Sequence, residues 1–132
     1  MNYSSISEAA AKFNMPQSTL RYYEKKGLLP FIKRDEVGRR LFSDHQMALF
    51  EIVLCLKNTN MPISSIKQYM DWVIEGDTTV EKRLEMMMQH KKTVLDEISL
   101  MTESLKGIDF KIERYTKQIQ ERKQDEMRKE EL

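Results

Sequence analysis

The 132-residue sequence holds a single cysteine, three prolines and four glycines. Cys55 alone excludes an intrachain disulfide, and with only His45 and His90 beside it there is no thiolate cluster at zinc spacing. No metal and no cofactor are expected. So few chain-breaking residues mean few turns and long helices. No apolar run reaches the roughly 18 residues that a membrane-spanning helix needs. The N-terminal MNYSSISEA lacks the basic start and apolar middle of a signal peptide. The expected location is therefore the cytoplasm, with no membrane partner.

Nor does one sign of charge dominate, since the formal net charge is +1. A content of 33% charged and 40% hydrophobic residues is that of a folded, soluble chain of about one domain. The distribution is uneven. Residues 1–45 carry eight Lys/Arg against five acids, so the basic excess sits in the first third.

Ser5-Ile6-Ser7-Glu8 reads as a capping box, and Ile6, Ala9, Ala10 and Phe13 follow at helical spacing. Pro16 suits the start of a second helix over residues 16–26, which Gly27 ends. The short Asn14-Met15 connection makes the pair a helix-turn-helix. The segment FIKRDEVGRRLF then reads as two short strands, 31–34 and 39–42, joined by a polar turn and carrying four basic side chains. A second capping box at Ser43 opens a helix over 44–58, with Met47, Phe50, Val53, Leu54 and Leu56 on its apolar face. After Met61-Pro62, a fourth helix bearing Ile63, Ile66, Met70 and Val73 stops at Gly76, and Thr78-Thr79-Val80-Glu81 forms a third box.

From there Val80, Leu84, Met87, Lys91, Val94, Ile98, Met101, Leu105, Ile108, Ile112, Tyr115 and Ile119 fall at alternating steps of four and three. All but Lys91 are apolar or Tyr, the pattern of a coiled-coil seam. About forty residues of helix span roughly 60 Å, whereas the preceding part is expected to be on the order of 30 Å across. Most of the seam must meet another chain, which predicts a homodimer. The expected organisation is a compact domain over residues 1–76, a dimerisation helix over 77–119 and a charged, frayed tail over 120–132.

A helix-turn-helix followed by a basic hairpin is what a winged DNA reader needs, because the second helix of such a motif enters the major groove. Its first turns carry Gln17, Ser18, Thr19, Arg21 and Tyr22. Gln pairs with adenine and Arg with guanine, while hydroxyls donate to phosphate oxygens. Tyr22 and Tyr23 point about 100° apart on a helix, so one faces DNA and the other the core. The alternative makes both tyrosines core and Arg21 a solvated charge. Lys33, Arg34, Arg39 and Arg40 would form a basic wing.

The strings TLRYYEKKGLLP, GRRLFS, MPISSIKQY and EGDTTVEKR, in this order before a coiled-coil helix, resemble the MerR family of bacterial transcriptional regulators. The likeness covers residues 3 to about 119. It implies a mainly α fold: a winged helix-turn-helix domain with a helix pair as second wing, then a long antiparallel coiled-coil dimerisation helix. It also implies binding to a pseudo-palindromic promoter duplex, which is bent and untwisted where RNA polymerase binds. Arg40 would be the wing arginine that grips backbone. The wing departs from the family's common G-Y-R-x-Y in having Arg39 and Phe42, so any tyrosine contact there is lost or replaced.

Metal-responsive members use several cysteines after the dimer helix, and drug-binding members carry a further domain; the sequence supplies neither. EIVLCLKNTNMPI resembles the branch that responds to aldehydes and thiol-reactive stress, which marks Cys55 as the candidate sensor thiol. Its ordinary alternative is a small apolar side chain. No nucleophile or carboxylate constellation accompanies either histidine, so an enzyme is not expected. The competing class is a coiled-coil protein-interaction module without specific DNA binding.

Overall fold

The computed structural model describes residues 2–29 and 32–131. Within its N-terminal unit, Met1–Met88, the described elements run β1 (Tyr3–Ser4), α1 (Ile6–Lys12), α2 (Gln17–Lys25), β2 (Lys33–Arg34), β3 (Arg40–Ser43), α3 (Asp44–Asn58) and α4 (Ile63–Glu75). A 3-10 turn, Asp77–Thr79, then leads into α5 (Val80–Glu131). Phe31, expected to open the first wing strand, lies outside the described residues.

The expected box at α1 is formed. Ser5 Oγ accepts from the Glu8 N–H and Glu8 returns a bond to the Ser5 N–H, at 3.1 and 3.0 Å. The Ser5 N–H, with the Ser5 hydroxyl second, holds the Glu8 carboxyl below its ordinary range. Three helices end alike. At Asn14, Gly27 and Asn60 the backbone turns left-handed, and the next residue's N–H returns to a carbonyl five residues back: Met15 to Ala10, Leu28 to Tyr23, Met61 to Leu56. Gly27 is further constrained, since a Cβ there would lie 2.8 Å from Cε of Lys67 on α4.

The sheet has the order β1-β3-β2, antiparallel throughout. Strand β1 was not foreseen, because two residues are too few to show alternation. It pairs Tyr3 with Ser43 and Ser4 with Phe42, tying the chain start to the far end of the wing. Phe42 itself is buried in the core.

Phe50 of α3 centres that core. Phe13 meets it edge-on at 4.7 Å between ring centroids and Tyr23 at 5.7 Å, with Leu20, Leu28, Val53, Ile66 and Met70 closing round it. These are the apolar faces the periodicity assigned. Two boundaries differ from expectation. Met86 and Met87 pack on this core, so the compact unit extends to Met88 instead of closing at residue 76, and Met87 is shared between core and seam. At the α4–α5 joint it is Thr79, not Thr78, that does the tying. Its buried hydroxyl lies 2.6 Å from the Trp72 carbonyl and 2.8 Å from that of Gly76, and it accepts from Arg83 Nε at 3.1 Å. A 3-10 turn occupies the place of the expected box because these carbonyls at the end of α4 also need donors.

The second unit, Gln89–Leu132, is described only as the remainder of α5. It stays helical to Glu131, past residue 119 where the seam ends and fraying was expected. Residues 120–131 contain no glycine, proline or β-branched side chain, so nothing in their propensities stops the helix. Ile98, Met101, Leu105, Ile108, Ile112, Tyr115 and Ile119 are all exposed.

Candidate nucleic-acid interface

Pro16 occupies the cap position of α2 and offers no side-chain cap, while its carbonyl accepts from the Thr19 N–H at 3.1 Å. In the first turn the Gln17 side chain bonds at both ends of its amide. Its Nε2 donates to Ser7 Oγ on α1 at 2.9 Å, and its Oε1 accepts from Arg21 Nη2 at 3.2 Å. Arg21, one turn on, is exposed on the same face. Gln17 was expected to read adenine; in this arrangement both ends of its amide are bonded within the chain, and what it supports is the guanidinium of Arg21. Ser18 is exposed and Thr19 half-buried beside it.

The two tyrosines divide as their angular separation requires. Tyr22 is 45% exposed and Tyr23 5%. Lys26 Nζ sits 5.6 Å from the Tyr22 ring centroid, within cation–π range. Burial, with Tyr22 adding to it, pushes the Tyr23 phenol up, consistent with a ring placed for packing.

The wing turn is built on Asp35. Its Oδ1 accepts from the N–H groups of Val37 and Arg39 at 3.0 and 2.8 Å, and its Oδ2 from Arg39 Nε at 2.8 Å. The Arg39 N–H is the main cause holding the Asp35 carboxyl below its ordinary range. Gly38 turns left-handed to close the loop, and the Arg39 side chain stands largely in solvent. Lys33 reaches the Tyr3 hydroxyl at 3.2 Å and stacks on that ring.

Arg34 and Arg40 face each other across the ribbon and both bond to Glu24 of α2. Arg40 Nε lies 3.2 and 3.1 Å from its two carboxylate oxygens and Arg34 Nη2 3.2 Å from one of them. Arg40 was expected to grip backbone; here its Nε is bonded to Glu24, and its four Nη hydrogens are not part of that bond.

Arg21, Arg39 and Arg40 line one concavity with Ser5, Ser7 and Gly38. Of the expected contact residues, Gln17 borders this hollow through Ser7. Cys55 does not line it; it is exposed on α3, its carbonyl accepting the Thr59 hydroxyl at 2.8 Å. Sequence reasoning missed Ser7, Glu24 and Asp35. The available signal was the ribbon itself, because like charges placed directly opposite on paired strands call for a counter-ion. Among the described residues no group of three or more His, Cys, Asp or Glu is placed to hold a metal, and no helix is long and apolar enough to cross a membrane.

Two helices crossing at a tight turn, with the second exposed beside an arginine ribbon, define a winged helix-turn-helix. The model of the MerR HTH family regulatory protein matches residues 4–72. An uncharacterized HTH-type transcriptional regulator of Haemophilus influenzae is 37% identical over 110 residues, covering 83% of this chain and 82% of that protein. A MerR-family transcriptional regulator from Bacillus thuringiensis has a crystal structure similar to this one at a TM-score of 0.81 and 42% identity, over 86% of this chain and 99% of that one. The crystal structure of HiNmlR, a MerR family regulator lacking the sensor domain, bound to promoter DNA, matches at a TM-score of 0.83 and 35% identity, over 88% and 92% of the two chains. The chain belongs to the MerR family of helix-turn-helix regulators.

Proposed function

We propose that this chain is a cytoplasmic, homodimeric regulator that binds promoter DNA in a sequence-specific way. The observation that carries the reading is the hollow in which Arg21 of the recognition helix meets Arg39 and Arg40 of the wing, a surface suited to one major groove and its flanking phosphates. That a relative of 35% identity was solved on promoter DNA supports it. Gln17, Ser18, Thr19, Arg21 and Tyr22 serve as the groove side, and Lys33, Arg34, Arg39 and Arg40 as the wing. The apolar stripe of α5 pairs antiparallel with that of a second copy, which sets two readers on a dyad-symmetric site and lets the dimer distort the duplex under RNA polymerase. Residues 77–119 act as the dimerisation helix, and residues 120–132 form a charged tail beyond the seam.

Phosphate-driven binding weakens steeply with added salt. Replacing Arg21 and Arg40 together by Ala should abolish retardation of a promoter fragment and leave the dimer intact. Salt-insensitive binding, or no binding to any duplex, would instead favour an interaction module, and a footprint without dyad symmetry would count against the dimer.

Cys55 is the thiol we assign to signal sensing, supported by its exposure on α3. Modification there would shift the bound dimer between two geometries. If Cys55→Ser leaves the response to formaldehyde or a thiol oxidant unchanged in a reconstituted promoter assay, this part of the reading fails.

A further inference from the structure

Removing an acid from a surface that binds a polyanion should, on charge alone, tighten binding. Glu24 is placed to do the opposite. Its side chain is about three-quarters buried and belongs to α2, yet its bonds go to the wing. Arg34 and Arg40 are direct partners across the β2–β3 ribbon, and such a like-charged pair pushes its strands apart unless something neutralises it. Glu24 bonds to both, 3.1 and 3.2 Å from Arg40 and 3.2 Å from Arg34.

Arg34 carries the connection further, since its Nη1 donates to the Gly38 carbonyl at 2.9 Å, in the wing turn. A continuous path of charge-assisted bonds therefore runs from the recognition helix through Glu24 and Arg34 to the wing tip. Asp35 closes the turn within the wing and Lys33 reaches Tyr3 of β1, but β2 is two residues long and both are exposed, and Glu24 is what bonds the ribbon to α2. A planar guanidinium bonded to a carboxylate fixes direction as well as distance. The two DNA-facing elements are thus set at one spacing before any duplex arrives, which is what makes binding to a particular groove geometry economical.

We propose that Glu24 is a positioning residue for DNA recognition, yoking the arginine wing to the recognition helix so that both engage one site together. The proposal rests on the DNA-binding reading above. It concerns specificity, because a released wing keeps its charge and can still reach phosphates on any sequence.

The test uses the full chain. A duplex is enriched from a random-sequence pool by the wild-type protein, and fluorescence anisotropy then measures binding to it and to a scrambled duplex of equal length. Glu24→Gln should bind the enriched duplex about tenfold more weakly, the scale of one charge-assisted bond, and the scrambled duplex as tightly as wild type or more so. Glu24→Asp keeps the charge but withdraws the carboxylate by one methylene, and should fall in the same direction. Should Glu24→Gln lose its far-ultraviolet helical signal, Glu24→Asp carries the test. Unchanged or tighter binding of the enriched duplex by the folded variants overturns the yoke, as does equal weakening on both duplexes. A wild-type chain that enriches no sequence refutes the DNA-binding reading instead, an outcome separate from any Glu24 result.

Discussion

Leu100 and Met101 are neighbours on α5 and almost equally exposed, at 70% and 73%, yet only Met101 falls on the four-and-three stripe. Adjacent residues on a helix point about 100° apart, so pairing through the stripe buries Met101 and leaves Leu100 outside. Fully burying a methionine is worth about 1.5–3 kcal/mol. Ala retains part of that, so Met101→Ala should cost about 1 kcal/mol per protomer. In a homodimer the change occurs twice, giving about 2 kcal/mol and a dimer Kd raised about thirtyfold. Any cavity left behind would add to this. Leu100→Ala should move the dimer Kd less than about twofold, since neither Leu nor Met differs much from Ala in helix propensity. Sedimentation equilibrium on both variants across a concentration series measures the two constants. Equal shifts, or a larger one for Leu100, would refute the stripe as the dimer seam.

The two glycines at opposite extremes should respond with opposite signs in thermal melts. Gly27→Ala forces a side chain into left-handed backbone and against Lys67, and should destabilise by about 1–3 kcal/mol; Gly107→Ala, in open helix, should stabilise by about 1 kcal/mol. Thr79→Val keeps the shape of a buried side chain but removes its single hydroxyl hydrogen and the oxygen that accepts from Arg83; the carbonyls of Trp72 and Gly76 keep their backbone donors, so the loss in chemical denaturation should be about 0.5–1.5 kcal/mol. The Asp35 turn should depend on acid alone. Its folded carboxyl is depressed from the ordinary 3.8, so its contribution is complete above that value and disappears as pH falls through the lower folded one. Amide resonances of Val37 and Arg39 followed from pH 6 to 2 should stay constant until below about 3.8 and then move together. Movement centred well above that refutes the staple, and Asp35→Ala should remove the transition.

What was legible in the sequence was whatever repeats. The faces of α1, α3 and α4, the box at Ser5, the stop at Gly27 and the long helix α5 rest on periodicities or terminators, and each of these elements lies where it was expected. The division of Tyr22 from Tyr23 followed from helix geometry alone. What stayed illegible involves single residues brought together by the fold. No spacing links Ser7 to Gln17 or Glu24 to Arg34 and Arg40, since ten and sixteen residues separate the partners and the intervening turns set their distance.

The same difference explains why the individual DNA-facing residues were easier to name than their roles. A residue type announces what it can bond: a glutamine such as Gln17 can pair with adenine and an arginine such as Arg40 with phosphate. Which bond is made depends on what the fold places nearer, and here Ser7, Arg21 and Glu24 are nearer. Gln17 therefore holds two intramolecular partners and Arg40 one before a duplex arrives, and a base or phosphate must either replace a partner or use the hydrogens and lone pairs left over. For Arg40 the second course is open, because Nε faces Glu24 while the Nη groups lie beyond that bond. For Gln17 each end of the amide holds one partner, which leaves one N–H and one lone pair. The expected consequence is that Gln17→Ala disturbs DNA binding chiefly by releasing Arg21. Ser7→Ala, which removes the acceptor of the Gln17 amide, should weaken binding to the enriched duplex in the same direction, measured by the same anisotropy. If Ser7→Ala binds as wild type while Gln17→Ala does not, Gln17 reads the base directly.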